Sequence, residues 1–322
     1  MYVVTGGAGF IGSNIVRGLN QRGITDVLVV DDLEQGVKHL GLNSLEFADI
    51  IDYRDFLADL PNLENSKVEA ILHQGACSDT MVHDGRFMMR VNYEYSKSLF
   101  RFAEGRCPFL YASSAATYGN GDNGFREEPA CEWPLNVYGF SKLAFDRWVR
   151  RQSLERPEGP ASQVVGLRYF NVYGPQENHK GRMASVVFKF DGQIAEKGKL
   201  EIFEGSDKFL RDFVYVQDAV DVNMYFLENP ERSGIFNCGT GRTESFATLA
   251  DEVAKHYEGA EVVEIPFPAE LEGKYQAFTQ ADLTRLRAAG YGVEFTTLQD
   301  GVAAYVEVLK GSGGYFRSIA RP

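Results

Sequence analysis

Directly after a short β-branched run, Tyr2–Thr5, the chain reads Thr5-Gly6-Gly7-Ala8-Gly9-Phe10-Ile11-Gly12 and then turns amphipathic from residue 11 to about 22. No other feature constrains the fold as strongly. The glycines fit GxGxxG (Gly7, Gly9, Gly12) and GxxGxxG (Gly6, Gly9, Gly12). They permit a tight turn, close approach of backbone to a pyrophosphate, and close packing of helix on strand. The helix N-terminus then offers N–H groups and partial positive charge to the anion. A glycine turn needs no ligand by itself, but here Asp31 closes the next apolar run, where an acid accepts hydrogen bonds from adenosine ribose hydroxyls. The pattern predicts a dinucleotide site. Asp31 and Asp32 favour NAD; Lys38, just downstream, either reaches a 2′-phosphate or stands solvated on its loop, and spacing does not choose.

Further short apolar runs follow at Val27–Val30, Ala70–His73, 109–112, Val164–Tyr169 and 235–238, the earlier ones separated by helical stretches. Continuous apolar strands alternating with helices predict a parallel sheet covered on both faces, with ligand at its carboxyl edge. The fold class expected is α/β, a Rossmann-type doubly wound parallel sheet with a smaller mixed α/β substrate-binding C-terminal lobe. Residues 1–170, with returning segments near 213–245, form the dinucleotide domain; 171–212 and 246–322 form the lobe. The Gly-rich tail, 311–322, is expected to fray unless it docks.

Composition narrows the function. Across 322 residues, Lys+Arg 33 against Asp+Glu 45 gives a net charge of −12 without a basic block, a poor match to nucleic acid or an anionic membrane. No run approaches the ~18 apolar residues of a spanning helix, and the N-terminus lacks a signal-peptide pattern. The four cysteines form no CxxC pair and the five histidines no ligand spacing. A cytoplasmic, reduced protein without a metal is expected.

A second constellation is Tyr138-Gly-Phe-Ser-Lys142, with Ser113-Ser114 just beyond the 109–112 run. If 138–151 is helical, the spacing puts Tyr138 and Lys142 on one face. An adjacent ammonium favours the phenolate of a tyrosine, and the Ser114 hydroxyl can donate to an alkoxide or carbonyl oxygen. Tyr138 and Lys142 are therefore candidates for proton transfer with Ser114.

With these residues in place, the chain resembles, over nearly its whole length, the extended short-chain dehydrogenase/reductases that act on nucleotide sugars. The resemblance rests on TGGAGFIG, SSAATYG, YGFSK, RYFNVYGP (168–175) and RDFVYVQD (211–218). Within that group it looks most similar to the ADP-glyceromanno-heptose 6-epimerase family, through ENHKGRMAS (177–185), FEGSDKFLRDFVYV (203–216), GTGRTESF (239–246) and GKYQAFTQADLTRLRAAGY (273–291). The resemblance implies interconversion of the D- and L-glycero forms of ADP-heptose by transient oxidation at C6, supplying the lipopolysaccharide core. It implies one tightly bound NADP per subunit, with NAD possible, and a homo-oligomer, specifically a homopentamer. Catalysis would fall to Ser114, Tyr138, Lys142 and a second base, Lys180. The cofactor would be held by Gly6, Gly9, Phe10, Ile11, Gly12, Asp31, Asp32, Lys38, Gln74, Gly75, Ala76, Cys77, Ser78, Asn92, Tyr138, Lys142, Val172 and Lys180. The nucleotide sugar would meet Ser114, Asn171, Arg182, Lys189, Phe203, Glu204, Gly205, Ser206, Arg211 and Tyr275. Tyr53 stands where that family more often has a basic residue. Ala115-Ala116 lack the Asp-Glu pair that a 4,6-dehydratase needs. A UDP-hexose 4-epimerase and a non-enzymatic dinucleotide sensor are the alternatives.

Overall fold

Val3 and Val4 are both fully buried although their side chains leave the first strand on opposite faces, so that strand needs cover on both sides. A computed structural model of the protein, describing residues 1–268 and 276–319 with the side chains at 64 and 65 apart, provides it. The strands are β1 (Tyr2–Thr5), β2 (Val27–Val30), β3 (Asp49–Ile51), β4 (Ala70–His73), β5 (Phe109–Ser114) and β6 (Val164–Tyr169). With Gly234–Cys238 they make a seven-stranded sheet in the order β3-β2-β1-β4-β5-β6 followed by that last strand. All its pairs are parallel, from Tyr2 opposite Val27 and Ala70 to Val165 opposite Gly234. This is the Rossmann order, extended by one strand.

One apolar layer takes Val4, Val27, Val29, Leu72 and Leu110; the other takes Val3, Leu28, Val30, Ile71, Phe109 and Tyr111. β5 runs two residues past the expected 109–112, because Ser113 and Ser114 continue the ladder opposite Arg168 and Tyr169. β3 was not expected: it is short, half-exposed and carries no apolar run.

A third core, including Val187, Phe190, Leu200, Leu249, Val302 and Tyr305, joins the helices Val186–Lys197, Phe246–Ala254 and Leu298–Ser312 to the paired strands Lys199–Phe203 and Glu261–Ile265. Asn171–Tyr173 and Phe213–Tyr215 pair in parallel beside it. The last helix ends on Gly313 in the left-handed conformation. The described part of the tail then docks on the first helix: the Arg17 guanidinium lies 4.0 Å from the Phe316 ring and donates to the Ser318 carbonyl at 3.1 Å. No helix among the described residues is long and apolar enough to cross a membrane.

Candidate active site

The order reverses between β1 and β4, and the turns that follow these strands open a cleft there of about 950 Å³. Gly6 has φ +67°, and a Cβ on it would lie 2.6 Å from the Gly75 nitrogen, so the two turns pack backbone on backbone. A Cβ on Gly12 would collide with the Gly6 carbonyl oxygen. Gly9 differs. It caps the helix Phe10–Asn20 without a side-chain bond, it faces the cleft, and a Cβ there would meet only the Gly6 oxygen, at 3.0 Å, as a close neighbour. The unsatisfied N–H groups of this first turn suit an anion. A pyrophosphate fits a cradle that a side chain at Gly9 would fill. Gly9→Val is expected to remove copurifying dinucleotide while leaving the melting temperature within a few degrees; a variant that retains normal cofactor content refutes this placement.

At the far end, Asp31 accepts from the Ala8 and Asp32 nitrogens, both at 2.8 Å. Lys38 is not a solvated loop lysine: its Nζ lies 2.8 Å from Asp31 Oδ1 and 3.2 Å from Asp32 Oδ1. Burial opposes its charge, but the charges and hydrogen bonds of the two acids prevail and raise its pKa. Tyr53 lines this end, edge-on to Tyr95 at 5.8 Å and under the Arg54 guanidinium at 4.7 Å.

At the near end, Asn136 caps the helix Val137–Val149 by accepting from the Gly139 nitrogen at 2.8 Å, and the helix carries Tyr138 and Lys142 to the cleft wall opposite Ser114. Lys142 shares the cleft wall with Tyr138 and is anchored to β5. Its Nζ donates to the Ala112 carbonyl at 2.8 Å, and burial lowers its pKa to about 8 against the opposing charge of Asp146. Burial likewise raises Tyr138, with Ser114 opposing. Burial thus favours the protonated phenol.

Beneath these groups, Asp146 accepts from the Tyr111 and Ser113 hydroxyls and from Arg168 Nε, each at 2.9 Å. Arg168 reaches on to Glu132 at 2.5 Å, which also takes Arg150 at 2.5 Å. Asn92, in a π-helical turn, grips both the nitrogen and the carbonyl of Cys77, at 2.8 and 2.9 Å, and donates to Ser141 at 3.1 Å. Asn92 therefore holds the loop after β4 from behind and does not line the cleft.

The lobe contributes Asn171, Val172, Lys180, Arg182, Lys189 and Arg211 to the wall. The Lys180 Nζ lies 4.8 Å from the Phe10 ring centroid, and burial, aided by the charge of Lys189, lowers its pKa although Glu177 opposes. Arg182 bridges the cleft to Asp79 at 2.5 Å. The remaining expected cofactor residues, Gln74 to Ser78 and the glycine turn, line it as well. Phe203, Glu204, Gly205 and Ser206 do not: Ser206 turns back onto the Phe203 carbonyl at 2.5 Å. Tyr275 lies outside the described residues. Asp79, His179, Phe246 and Gln276 line the cleft and went unread. His179 had a signal in its place beside Lys180, and Phe246 and Gln276 in the motifs 239–246 and 273–291 that hold them; for His179, burial, then the charges of Lys38 and Lys180, push its pKa down to about 4.

One cleft thus brings together an anion cradle, a hydroxyl, a phenol and two lysines able to exchange protons with an alcohol. Comparison with known proteins gives the family. The model of the NAD dependent epimerase/dehydratase family matches residues 2–239. The ADP-L-glycero-D-manno-heptose-6-epimerase of Brachyspira hyodysenteriae is 56% identical over 318 residues, covering 98% of this chain and 99% of that one. Among solved structures, the Helicobacter pylori enzyme of the same name superposes with a TM-score of 0.82 at 29% identity, covering 96% of each chain. The UDP-glucose 4-epimerase of Thermus thermophilus, solved with NAD, gives 0.76 at 28% identity, covering 97% of this chain and 99% of that one.

Proposed function

Because the chain belongs to the NAD dependent epimerase/dehydratase family, we propose that it interconverts the two C6 epimers of ADP-glyceromanno-heptose with a tightly held NADP. The observation that carries this reading is that Tyr138 and Lys180 line the same cleft beside the glycine cradle. The full-length likeness to the Brachyspira enzyme supports the choice of heptose over hexose. Residues 1–170, with the segments near 213–245, hold the cofactor, and the rest of the chain holds the nucleotide sugar.

Bound cofactor supplies a reversible hydride acceptor for C6. The protein supplies the proton chemistry. The 6-hydroxyl points to different sides in the two epimers, and one group cannot stand within ~3 Å of both. Tyr138 exchanges a proton with that oxygen on one side and Lys180 on the other, while Ser114 donates to the carbonyl oxygen between. C6 is exocyclic, so rotation about C5–C6 presents both carbonyl faces without turning the ring. Arg211 and Lys189 suit the diphosphate. The sequence motifs further support a cytoplasmic homo-oligomer that serves lipopolysaccharide core synthesis.

Equilibration of either pure epimer by the purified protein, without added reductant and with UDP-glucose left unchanged, tests the assignment. Conversion of UDP-glucose instead points to a 4-epimerase. Cofactor choice is tested separately. Lys38→Ala is expected to weaken NADP by about 1.5–3 kcal/mol, the worth of a charged hydrogen bond, and to leave NAD nearly unchanged in a binding titration. Equal losses for both cofactors contradict a 2′-phosphate contact.

A further inference from the structure

Between the strand Asn171–Tyr173 and the helix Val186–Lys197, the chain makes a loop that brings Lys180 to the cleft. The loop is over-determined. Gln176 keeps φ +78°, a left-handed conformation rare outside glycine, while its nitrogen donates to the Gly314 carbonyl at 2.8 Å. Asn178 donates to the Gly313 carbonyl, also at 2.8 Å. From within, Glu177 is fully buried. Its carboxylate takes the Ser185 nitrogen at 2.5 Å, the Ser185 hydroxyl at 2.6 Å and the Gly174 nitrogen at 3.4 Å, so it ties both ends of the loop together. Lys180 Nζ stands 4.0 Å from Glu177 Oε2. That is close enough to feel the charge and too far for a hydrogen bond, so the ammonium's own donors stay available to the cleft.

We propose that Glu177 is the positioning residue of Lys180, clamping the loop that presents its Nζ to the cleft and supplying its counter-charge without occupying it. The proposal rests on the reading of Lys180 as the second proton-exchanging group. The chemistry of that role explains the arrangement. A lysine that must give and take a proton in alternate directions is poorly served in a buried wall by neighbours that only strip its charge. For Lys180 these are burial itself and the charge of Lys189, from the following helix; the Phe10 ring, 4.8 Å from its Nζ, offers only a weak cation–π contact, and His179 in its own turn is neutral. Arg182 is engaged by Asp79. Against these, Glu177 favours the ammonium; the phenol of Tyr305, from the last long helix, lies near that carboxylate.

The experiment compares the full-length protein with Glu177→Gln, Glu177→Asp and Lys180→Met. Rate against pH is measured in both directions. In the folded, cofactor-retaining proteins, the reactivity of Lys180 is followed against pH by competitive acetylation and mass spectrometry. With Glu177→Gln, the limb of the rate profile that belongs to Lys180 is expected to move down by about one pH unit in each direction, and the labelling curve with it. The limb belonging to Tyr138 stays in place. Glu177→Asp, with its carboxylate drawn back by one methylene, shifts both curves the same way by less, and decides the matter should Glu177→Gln not fold. If Lys180→Met abolishes epimerisation while neither Glu177 variant moves the labelling curve, Glu177 is only a loop clamp and the proposal is wrong. If Lys180→Met epimerises at the normal rate, the reading beneath it has failed first.

Discussion

Tyr138→Phe is expected to slow epimerisation by ~10²–10⁴-fold, the usual worth of a general acid–base group, and Lys180→Met to do the same. Neither variant should lose its fold or its bound dinucleotide. Tyr138 packs at the head of a helix with its own side-chain cap, and Lys180 sits on a loop clamped through Glu177 and Gln176. What distinguishes the two is stereochemistry. If each serves one side of C6, each single variant keeps the half-reaction with the epimer or aldehyde analogue that the other residue serves. Single-turnover absorbance of the nicotinamide, run with each stereoisomer, reads this directly. Near-normal turnover by Lys180→Met means that Tyr138 serves both faces.

The largest loss of stability is expected from Arg168→Met. Arg168 is fully buried and spans Asp146, on the helix of Tyr138, and Glu132. Removing one partner of a buried ion cluster leaves uncompensated charge, and about 3–5 kcal/mol is the expected loss in urea unfolding. The pH dependence gives an internal control. Burial works against the Glu132 carboxylate, yet Arg150 and Arg168 hold its pKa down to about 2. A depressed folded pKa means that this pairing stabilises the fold fully above the unfolded value of ~4.3 and is lost as pH falls through the folded one. In Arg168→Met the wild-type advantage should therefore be widest above ~pH 5 and narrow steadily below it. A difference constant down to pH 3 contradicts an electrostatic origin.

The paired strands were legible because burial on both faces writes them as unbroken apolar runs; β3, half-exposed and three residues long, writes nothing comparable. The glycine turn was legible because backbone contact between Gly6 and Gly75 leaves no room for a side chain. Charge partners were not. Lys38 meets Asp31 and Asp32 only once the loop after β2 folds back, and the sequence left its role open. The Tyr138–Lys142 spacing put both side chains on the right face, yet it could not reveal that Lys142 would donate to the Ala112 carbonyl. Motif likeness can also mark structure as much as chemistry. Arg168, in RYFNVYGP, anchors the ion cluster below the cleft, and Asp212, in RDFVYVQD, receives the Thr240, Gly241 and Ala281 nitrogens.

The most direct test of the account follows a deuterium atom at C6. ADP-D-glycero-D-manno-heptose labelled at that carbon is incubated in ordinary water with the protein as purified, without added nicotinamide. The expected product is the L-glycero epimer with its deuterium still on C6, and no deuterium is gained there when unlabelled substrate reacts in heavy water. Washout of the label, solvent deuterium at C6, or no conversion of the heptose at all would contradict an internal oxidation and reduction at that carbon.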